Sequence, residues 1–170
     1  QQIENFINNA FTQNKASHIV YFDFNDFKPF NDLYGFRLGD RAILLFTDIL
    51  KKELPSDVFI GHIGGDDFFL GFKESQYIDV YTQTLTIQEL FKSNVKQLYS
   101  DFDRLNGFIT TKDRFDVVRD FDLLSVSSAI VEITTQCNKK DFDNFLGKIK
   151  KASKKYPFPL GISIISNNKM

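Results

Sequence analysis

The sequence predicts a mixed α/β sandwich, with a central sheet of about five strands flanked by helices and a small additional β-hairpin. Apolar residues at helical spacing alternate along the chain with short, β-rich apolar runs. Two pairs of these runs are close enough in sequence to form hairpins, which favours a mixed sheet over a strictly parallel one. The length of 170 residues suits one domain with a single core.

The first third of the chain contains two predicted helices and one predicted strand. Apolar residues recur at helical spacing over residues 3–11, and residues 18–24 form an apolar run with the length of a buried strand. A second helical stripe covers residues 42–50. This helix is predicted to begin after Asp40 and to end before Pro55, because proline cannot continue a helix.

The remaining elements are predicted in the same way. Residues 58–63 and 68–72 read as two short strands, and the Gly-Gly-Asp-Asp sequence at 64–67 is typical of the turn that joins a hairpin. The later predicted elements are a helix over 87–102, strands over 107–111 and 123–133, a helix over 142–152 and a strand over 160–165.

Composition and charge exclude several classes of function. No apolar run approaches the roughly 20 residues of a membrane-spanning helix. The net charge is −1 at pH 7, so we expect neither nucleic-acid binding nor direct membrane contact by the chain as a whole. A single cysteine, Cys137, and the lack of a signal-peptide pattern predict a cytosolic domain. The opening residues Gln1-Gln2-Ile3 predict that residues 1–170 are one domain of a longer protein.

Three aspartates fall at neighbouring strand ends. Asp23 lies near the carboxyl end of the first predicted strand, and Asp66 and Asp67 occupy the predicted hairpin turn. If these strands pair, the carboxylates meet, and such a cluster either takes up protons or binds a hard cation such as Mg²⁺. The alternative is that Asp23 merely ends a strand and that the other two are ordinary turn residues.

A second polar group lies between the first strand and the second predicted helix. Asn31 and Asp40 are nine residues apart across a predicted loop. An asparagine and an aspartate together can bind a guanine edge, since the carboxylate accepts from N1 and N2 and the amide bonds O6 or N3. The same two residues could instead be helix caps or turn residues. Lys28 is placed where an ammonium could reach a phosphate, although most lysines are simply solvated.

Five short segments of the chain match a known family in order and spacing. These segments are Asp23-Phe24-Asn25-Asp26-Phe27-Lys28, Asn31-Asp32, Tyr34-Gly35, Gly39-Asp40 and Gly64-Gly65-Asp66-Asp67-Phe68. Together they resemble the GGDEF domain of diguanylate cyclases. The resemblance covers most of the chain, because residues 124–127 are similar to the family's later strand and residues 142–155 to its last helix.

The resemblance implies a fold of the nucleotidyl cyclase and polymerase-palm type. It implies that two domains, meeting as a transient homodimer, condense two GTP molecules to cyclic di-GMP with Mg²⁺ or Mn²⁺ and release pyrophosphate. The sequence is most similar to the branch fused to EAL and CBS domains, which implies an attached regulatory or EAL domain. By role, the implied site residues are the metal ligands Asp23, Asp66 and the carbonyl of Phe24, the catalytic residues Asp66 and Asp67, and the nucleotide-binding residues Lys28, Asn31, Asp40, Gly64, Gly65 and Lys154.

The sequence departs from the family pattern at several points. The fourth letter of the signature is Asp67, where active relatives usually carry glutamate, and a misplacement of about 1 Å can cost roughly a hundredfold in rate. His62 stands in place of the usual arginine, and residues 156–159 replace the usual Gly-Arg-Asn after the last helix. The family's Arg-x-x-Asp product-inhibition motif has no counterpart in residues 53–58, so we expect no inhibition by that route.

Three hypotheses for the function stay open on the sequence. The first is an active Mg²⁺-dependent diguanylate cyclase. The second is a catalytically degenerate domain that binds GTP and regulates an attached EAL phosphodiesterase. The third is a scaffold that has kept the fold for dimerisation, since a fold does not by itself establish an activity.

Overall fold

The structure of the chain is a computed structural model that describes residues 2–10, 12, 15–134, 148, 149, 151–156 and 158–163. The helical elements are α1 (Gln2–Ala10), α2 (Phe27–Tyr34), α3 (Phe36–Glu53), α4 (Tyr77–Asn94), a 3₁₀ turn (Val95–Leu98) and α5 (Asp101–Asn106). The strands are β1 (Ser17–Asn25), β2 (Phe59–Gly64), β3 (Asp67–Phe72), β4 (Phe108–Lys112), β5 (Val118–Asp122), β6 (Ser125–Ile133) and β7 (Leu160–Ser163). Over these described ranges, no helix combines the length and the hydropathy needed to cross a membrane.

Five strands form one mixed sheet in the order β2-β3-β1-β6-β7. β3 runs antiparallel to both β2 and β1, whereas β6 and β7 are parallel. β4 and β5 form a separate two-stranded antiparallel sheet. The predicted fold class, a five-stranded mixed sheet with helices and an additional hairpin, is therefore confirmed.

The packing divides the chain into two compact units. The first unit consists of residues 1–23, 54–86 and 127–170, and the second unit consists of residues 24–53 and 87–126. The expectation that residues 1–170 form one domain stays a prediction.

The first unit buries one face of α1 and the strands around an aliphatic and aromatic core. Phe6 of α1 stacks on Phe59 of β2, with ring centroids 5.7 Å apart. A Cβ at Gly71 would lie 2.5 Å from the Phe6 ring, so only glycine leaves space for this ring to lie against β3. The buried residues of this core are Phe6, Ile7, Ala10, Ile19, Tyr21, Phe69, Ala129, Val131, Ile133 and Ile149.

The core of the second unit contains a cluster of phenylalanine rings. The rings of Phe24, Phe46 and Phe91 are fully buried, and their centroids lie 4.7 to 5.4 Å apart in tilted and edge-on arrangements. The hydroxyl of Tyr34, at the end of α2, donates a hydrogen bond to Asp103 of α5. This bond ties α2 to α5, so the segment that carries Asn31 has a fixed support.

Two helices occupy the segment that the sequence predicts as a loop before Asp40. α2 ends at Tyr34, Gly35 adopts a φ of 84°, and α3 begins directly at Phe36. Asp40 therefore lies inside α3, and the prediction that this helix begins after Asp40 is wrong. Pro29 obscured α2 in the sequence pattern, but a proline in the first turn of a helix loses no intrahelical hydrogen bond.

The helix predicted over residues 87–102 is also wrong in its bounds. The apolar stripe belongs to three consecutive elements: α4, which begins at Tyr77, the 3₁₀ turn and α5. The break before α5 is set by Ser100, whose hydroxyl accepts the N–H of Asp103 and so caps the new helix.

Two further differences concern the last third of the chain. β5 lies in a polar stretch that was not predicted as a strand, because its side chains are mostly exposed and give no apolar alternation. Of the helix predicted over 142–152, residues 142–147 and 150 lie outside the described residues, and residues 148, 149 and 151–153 are helical. β7 coincides with the described part of the strand predicted over 160–165.

A buried histidine is the main titratable group inside the first unit's packing. His18 of β1 is 1% exposed, its Nδ1 lies 2.8 Å from the hydroxyl of Ser75, and its Nε2 lies 3.4 Å from Oε2 of Glu132 on β6. The ring of Tyr77 also faces the imidazole. Burial lowers the pKa of His18, although the charge of Glu132 opposes this shift. The folded state therefore favours the neutral ring.

We predict that acidification destabilises the fold through His18. Its pKa is lower in the folded chain than the ordinary value of about 6.5 in the unfolded chain, so below that pH the unfolded state binds more protons. The free energy of unfolding should therefore decrease as the pH is lowered, by at most about 1.4 kcal/mol per pH unit. Urea unfolding between about pH 7.5 and 5.5 should show a shallower dependence for His18→Gln than for the natural chain. His62→Gln, at the exposed second histidine, is the matched control, and an equal slope in His18→Gln would contradict the prediction.

Candidate active site

The pairing of β1 with β3 brings three carboxylates together. Asp23 lies directly opposite Asp67 in the antiparallel register, and Asp66 precedes Asp67 in the adjoining turn. One oxygen of each carboxylate lies within 4.8 Å of the others, and all three residues are partly buried. Phe24 follows Asp23 in β1, and its backbone carbonyl stays a predicted metal ligand. The predicted meeting of the carboxylates is thus observed, while their roles stay predictions.

The turn that carries Asp66 depends on two glycines and is supported by a histidine. Gly64 and Gly65 have φ angles of 132° and 59°, which residues with a side chain rarely adopt. His62 stacks on Phe68 at a centroid distance of 4.4 Å, and its Nε2 lies 2.9 Å from the carbonyl oxygen of Gly65. The sequence predicts His62 only as a replacement for the usual arginine, because its partners become visible only once the hairpin has formed.

The electrostatics of the cluster disfavour the ionised form of Asp66. Burial raises the pKa of this carboxyl most strongly, and the charges of Asp23 and Asp67 raise it further. A hydrogen bond from its own backbone N–H and the charge of Lys154 act in the opposite direction. A cation bound among these oxygens would act against this rise in pKa, because it stabilises the ionised carboxylates.

Lys154 places a positive charge at this cluster. Its Nζ lies 2.8 Å from Oδ2 of Asp23, and the side chains are 46% and 14% exposed, respectively. Lys154 directly follows the helical residues 151–153, whereas the sequence predicted it within the last helix. Its predicted phosphate contact stays a prediction, while the structure brings this lysine to the carboxylates.

Tyr21 is a residue of this site that sequence reasoning missed. The side chain is 1% exposed, and its hydroxyl donates a hydrogen bond to Oδ1 of Asp67. Burial and then this hydrogen bond raise the pKa of Tyr21 far above its ordinary value, so the hydroxyl stays protonated and can donate. The available signal was the spacing: a residue two positions before Asp23 on a strand points to the same face of the sheet.

The predicted nucleotide-binding residues of the second unit lie on two helices. Asn31 is in α2 and Asp40 is in α3, and a Cβ added at Gly39 would lie 1.9 Å from Oδ1 of Asn31. That oxygen is buried and has no hydrogen-bond partner in the part of the chain that the structure describes. The amide is therefore held by packing against Gly39. Lys28 is exposed and forms an ion pair with Asp32, one turn further along α2.

Comparison with protein families identifies the class to which this fold and site belong. The model of the family described as "Diguanylate cyclase, GGDEF domain" matches residues 1–107. Because this match covers more than half of the chain, the chain belongs to the GGDEF family. The resemblance inferred from the five sequence segments is thereby confirmed.

Two curated relatives show how the match extends into longer proteins. "Probable diguanylate cyclase DgcC" of Escherichia coli K12 is 29% identical over 87 residues, which is 51% of this chain and 24% of DgcC. The "bifunctional diguanylate cyclase/cyclic di-GMP phosphodiesterase MucR" of Pseudomonas aeruginosa is 26% identical over 81 residues, which is 48% of this chain and 12% of MucR. The matched region thus spans a quarter or less of these relatives.

A solved structure shows the same fold over nearly the whole chain. The GGDEF domain of DgcB from Caulobacter crescentus, determined in complex with c-di-GMP, superimposes with a TM-score of 0.68. The alignment covers 95% of this chain and 85% of that domain, at 18% sequence identity. At this level of identity the likeness establishes the fold.

We predict that Asp66→Asn stabilises the metal-free chain and removes its response to metal. The substitution takes one negative charge out of the cluster, and about 1 kcal/mol would raise the melting temperature by roughly 2–4 °C for a chain of this size. Millimolar Mg²⁺ should raise the melting temperature of the natural chain, because a ligand of the folded state stabilises it, but not that of the variant. Calorimetry with and without Mg²⁺ makes the comparison.

The matched control for this prediction is Asp57→Asn. Asp57 is an exposed aspartate in the turn before β2, so its loss should change neither the metal-free melting temperature nor the gain on adding Mg²⁺. A less stable Asp66→Asn variant, or the same gain from Mg²⁺ in Asp66→Asn as in the natural chain, would show that the cluster neither repels nor binds as inferred.

Proposed function

We propose that this chain is a diguanylate cyclase domain that condenses two GTP molecules to cyclic di-GMP and releases two pyrophosphates. The observation that carries the proposal is the convergence of Asp23, Asp66 and Asp67, with Lys154 beside them. Membership of the GGDEF family supports this chemistry, and the likeness to the DgcB domain supports the fold that it requires. Because the match spans a minor part of the curated relatives, the activity is proposed for this chain and not transferred from them.

The donor set of the cluster fits a hard divalent cation. All three side-chain donors are carboxylate oxygens in a partly buried setting, and burial, followed by the charges of Asp23 and Asp67, raises the pKa of Asp66. Mg²⁺ is typically held by one or two carboxylates together with substrate phosphates. Asp23, Asp66 and the carbonyl of Phe24 would hold Mg²⁺ or Mn²⁺. When bound, the ion supplies neutralisation of the charge that develops on the phosphate oxygens.

The chain's own contribution to the reaction is positioning and charge, because phosphoryl transfer requires little covalent work from the protein. Gly64 and Gly65 allow the turn to approach a triphosphate closely. Lys154 can move its ammonium from Asp23 to a phosphate oxygen. Two domains, each holding one GTP, then meet so that the 3′-hydroxyl of each GTP attacks the α-phosphorus of the other, and the bond to pyrophosphate breaks.

The second candidate is a domain that binds GTP without turnover and regulates an attached EAL phosphodiesterase. The observation that favours it is that Asp67, already shorter than the usual glutamate, is engaged by the hydroxyl of Tyr21. The bifunctional name of MucR supports a fusion of this kind in a relative. Attached EAL and CBS domains, like the homodimer and the input signal of the full-length protein, belong to this proposal.

The nucleotide-binding residues of the second unit form a separate part of the proposal. We propose that Asn31 and Asp40 bind the guanine base and that Lys28 contacts the triphosphate. What supports this is the family resemblance and the tight packing of the Asn31 amide against Gly39, which holds the amide in one place. The ion pair of Lys28 with Asp32 is exposed and would be exchanged at little cost for a phosphate.

The first prediction of this proposal concerns the cyclase reaction. Purified chain with GTP and Mg²⁺ should produce cyclic di-GMP, detected by chromatographic separation of the nucleotides. The rate per molecule should rise with protein concentration, because two domains must meet. Asp66→Ala should lower the rate by about a hundredfold or more, while Asp57→Asn keeps it. Saturable GTP binding without product at high protein concentration would favour the regulatory function, and neither binding nor product would exclude both.

The second prediction concerns the packing of Asn31 against Gly39. Gly39→Ala should displace the Asn31 amide and raise the dissociation constant for GTP about tenfold, which corresponds to about 1.4 kcal/mol. Alanine favours the helix over glycine, so α3 itself should not be weakened. If Gly39→Ala acts through Asn31, the double variant with Asn31→Ala should bind GTP no more weakly than Asn31→Ala alone. Additive losses in calorimetric titrations would mean that Gly39 acts on something else.

A further inference from the structure

The register between β1 and β3 places the Tyr21 hydroxyl next to the acidic cluster. Tyr21 precedes Asp23 by two residues on β1, so both side chains point to the same face of the sheet. Its partner across the ladder is Phe69, which follows Asp67 by two residues on β3. The Tyr21 ring packs edge-on against Phe69, with centroids 6.0 Å apart. The ring is therefore fixed by the core, and only its hydroxyl reaches the diagonal position where Asp67 begins the strand.

The hydrogen bond of Tyr21 determines how Asp67 presents its carboxylate. The hydroxyl donates to Oδ1 of Asp67, and a carboxylate has further acceptor positions on both oxygens for a second partner or a cation. A metal-binding side chain is commonly oriented by such a hydrogen bond, and loss of the bond typically costs about 10 to 100-fold in metal affinity or activity.

We propose that Tyr21 is a positioning residue, whose hydroxyl holds the Asp67 carboxylate in the orientation in which it joins Asp23, Asp66 and the Phe24 carbonyl as a further ligand of the divalent cation. The inference rests on the proposed function only in so far as the cluster binds such a cation. A phenylalanine or an aliphatic residue at position 21 could not donate this hydrogen bond to Asp67 of the signature. Asp67 and Tyr21 then form one functional pair rather than an isolated departure from the family pattern.

A purely structural role for the same hydrogen bond predicts different behaviour. A buried tyrosine hydroxyl needs an acceptor, and Asp67 could serve as nothing more than that. In that case Tyr21→Phe would change the stability of the chain and leave its affinity for a cation unaltered. In the positioning role, the variant binds the cation more weakly even where the fold is retained.

Titration with Mn²⁺ alone separates these two roles. Electron paramagnetic resonance measures free Mn²⁺ in the presence of the natural chain, Tyr21→Phe and Tyr99→Phe. We expect Tyr21→Phe to raise the dissociation constant about tenfold or more and Tyr99→Phe to leave it unchanged. Tyr99 is the matched control because it is buried too, and its hydroxyl accepts the N–H of Leu124. Urea unfolding of each variant without metal shows whether the fold is retained.

A second variant tests the pair from the other side, including the case in which Tyr21→Phe does not fold. Asp67→Glu keeps the charge but moves the carboxylate by one methylene away from its position at the Tyr21 hydroxyl. We expect it to weaken Mn²⁺ binding, whereas Mn²⁺ binding as tight as in the natural chain, or tighter, would overturn the proposal. Equal Mn²⁺ affinity in a folded Tyr21→Phe variant would overturn it as well.

The outcomes distinguish this inference from the proposed function. If Mn²⁺ binding depends on Tyr21 but the chain forms no cyclic di-GMP from GTP, the positioning role holds and the cyclase function fails. If the chain forms cyclic di-GMP and Tyr21→Phe binds Mn²⁺ normally, the cyclase function holds and the positioning role fails. A natural chain that binds no Mn²⁺ overturns the positioning role too.

Discussion

The antiparallel register between β1 and β3 is the constraint on which the candidate site depends. It sets Asp23 opposite Asp67 and allows the glycine turn to add Asp66 beside them. A slip of one residue would turn each side chain of a strand to the opposite face of the sheet. Tyr21 would then leave the core, and the carboxylates would separate. Burial of the aromatic residues of both strands therefore fixes the core and the site by the same pairing.

The site itself opposes the stability that this pairing provides. Carboxylates that share a partly buried volume lose hydration and repel one another, and burial and then the charges of Asp23 and Asp67 raise the pKa of Asp66 accordingly. Lys154 offsets part of it at Asp23, and the Tyr21 hydroxyl offsets part of it at Asp67. Such a cluster persists because the surrounding strands hold it, as is common where a site is organised for a ligand rather than for stability.

The sequence allowed the acidic cluster to be predicted because its signals are local. A strand with Asp23 near its carboxyl end and a Gly-Gly-Asp-Asp turn each specify their own geometry, so only the pairing of the strands had to be assumed. The helices that carry Asn31 and Asp40 were harder to predict, because Pro29 and the polar residues beside it hide the helical apolar pattern of α2. β5 was missed for a related reason, since an exposed hairpin strand carries no apolar alternation. Contacts such as Tyr21 with Asp67 were not predictable without the register.

The departures from the family signature have partners in the fold, which affects how they are interpreted. His62, in place of arginine, stacks on Phe68 and bonds the carbonyl of Gly65. Asp67, in place of glutamate, is held by Tyr21. These contacts hold the altered residues in fixed positions. A carboxylate one methylene shorter than glutamate depends on such support, since a displacement of about 1 Å can cost roughly a hundredfold in rate, so the contact with Tyr21 bears directly on whether Asp67 can take the part of the usual glutamate.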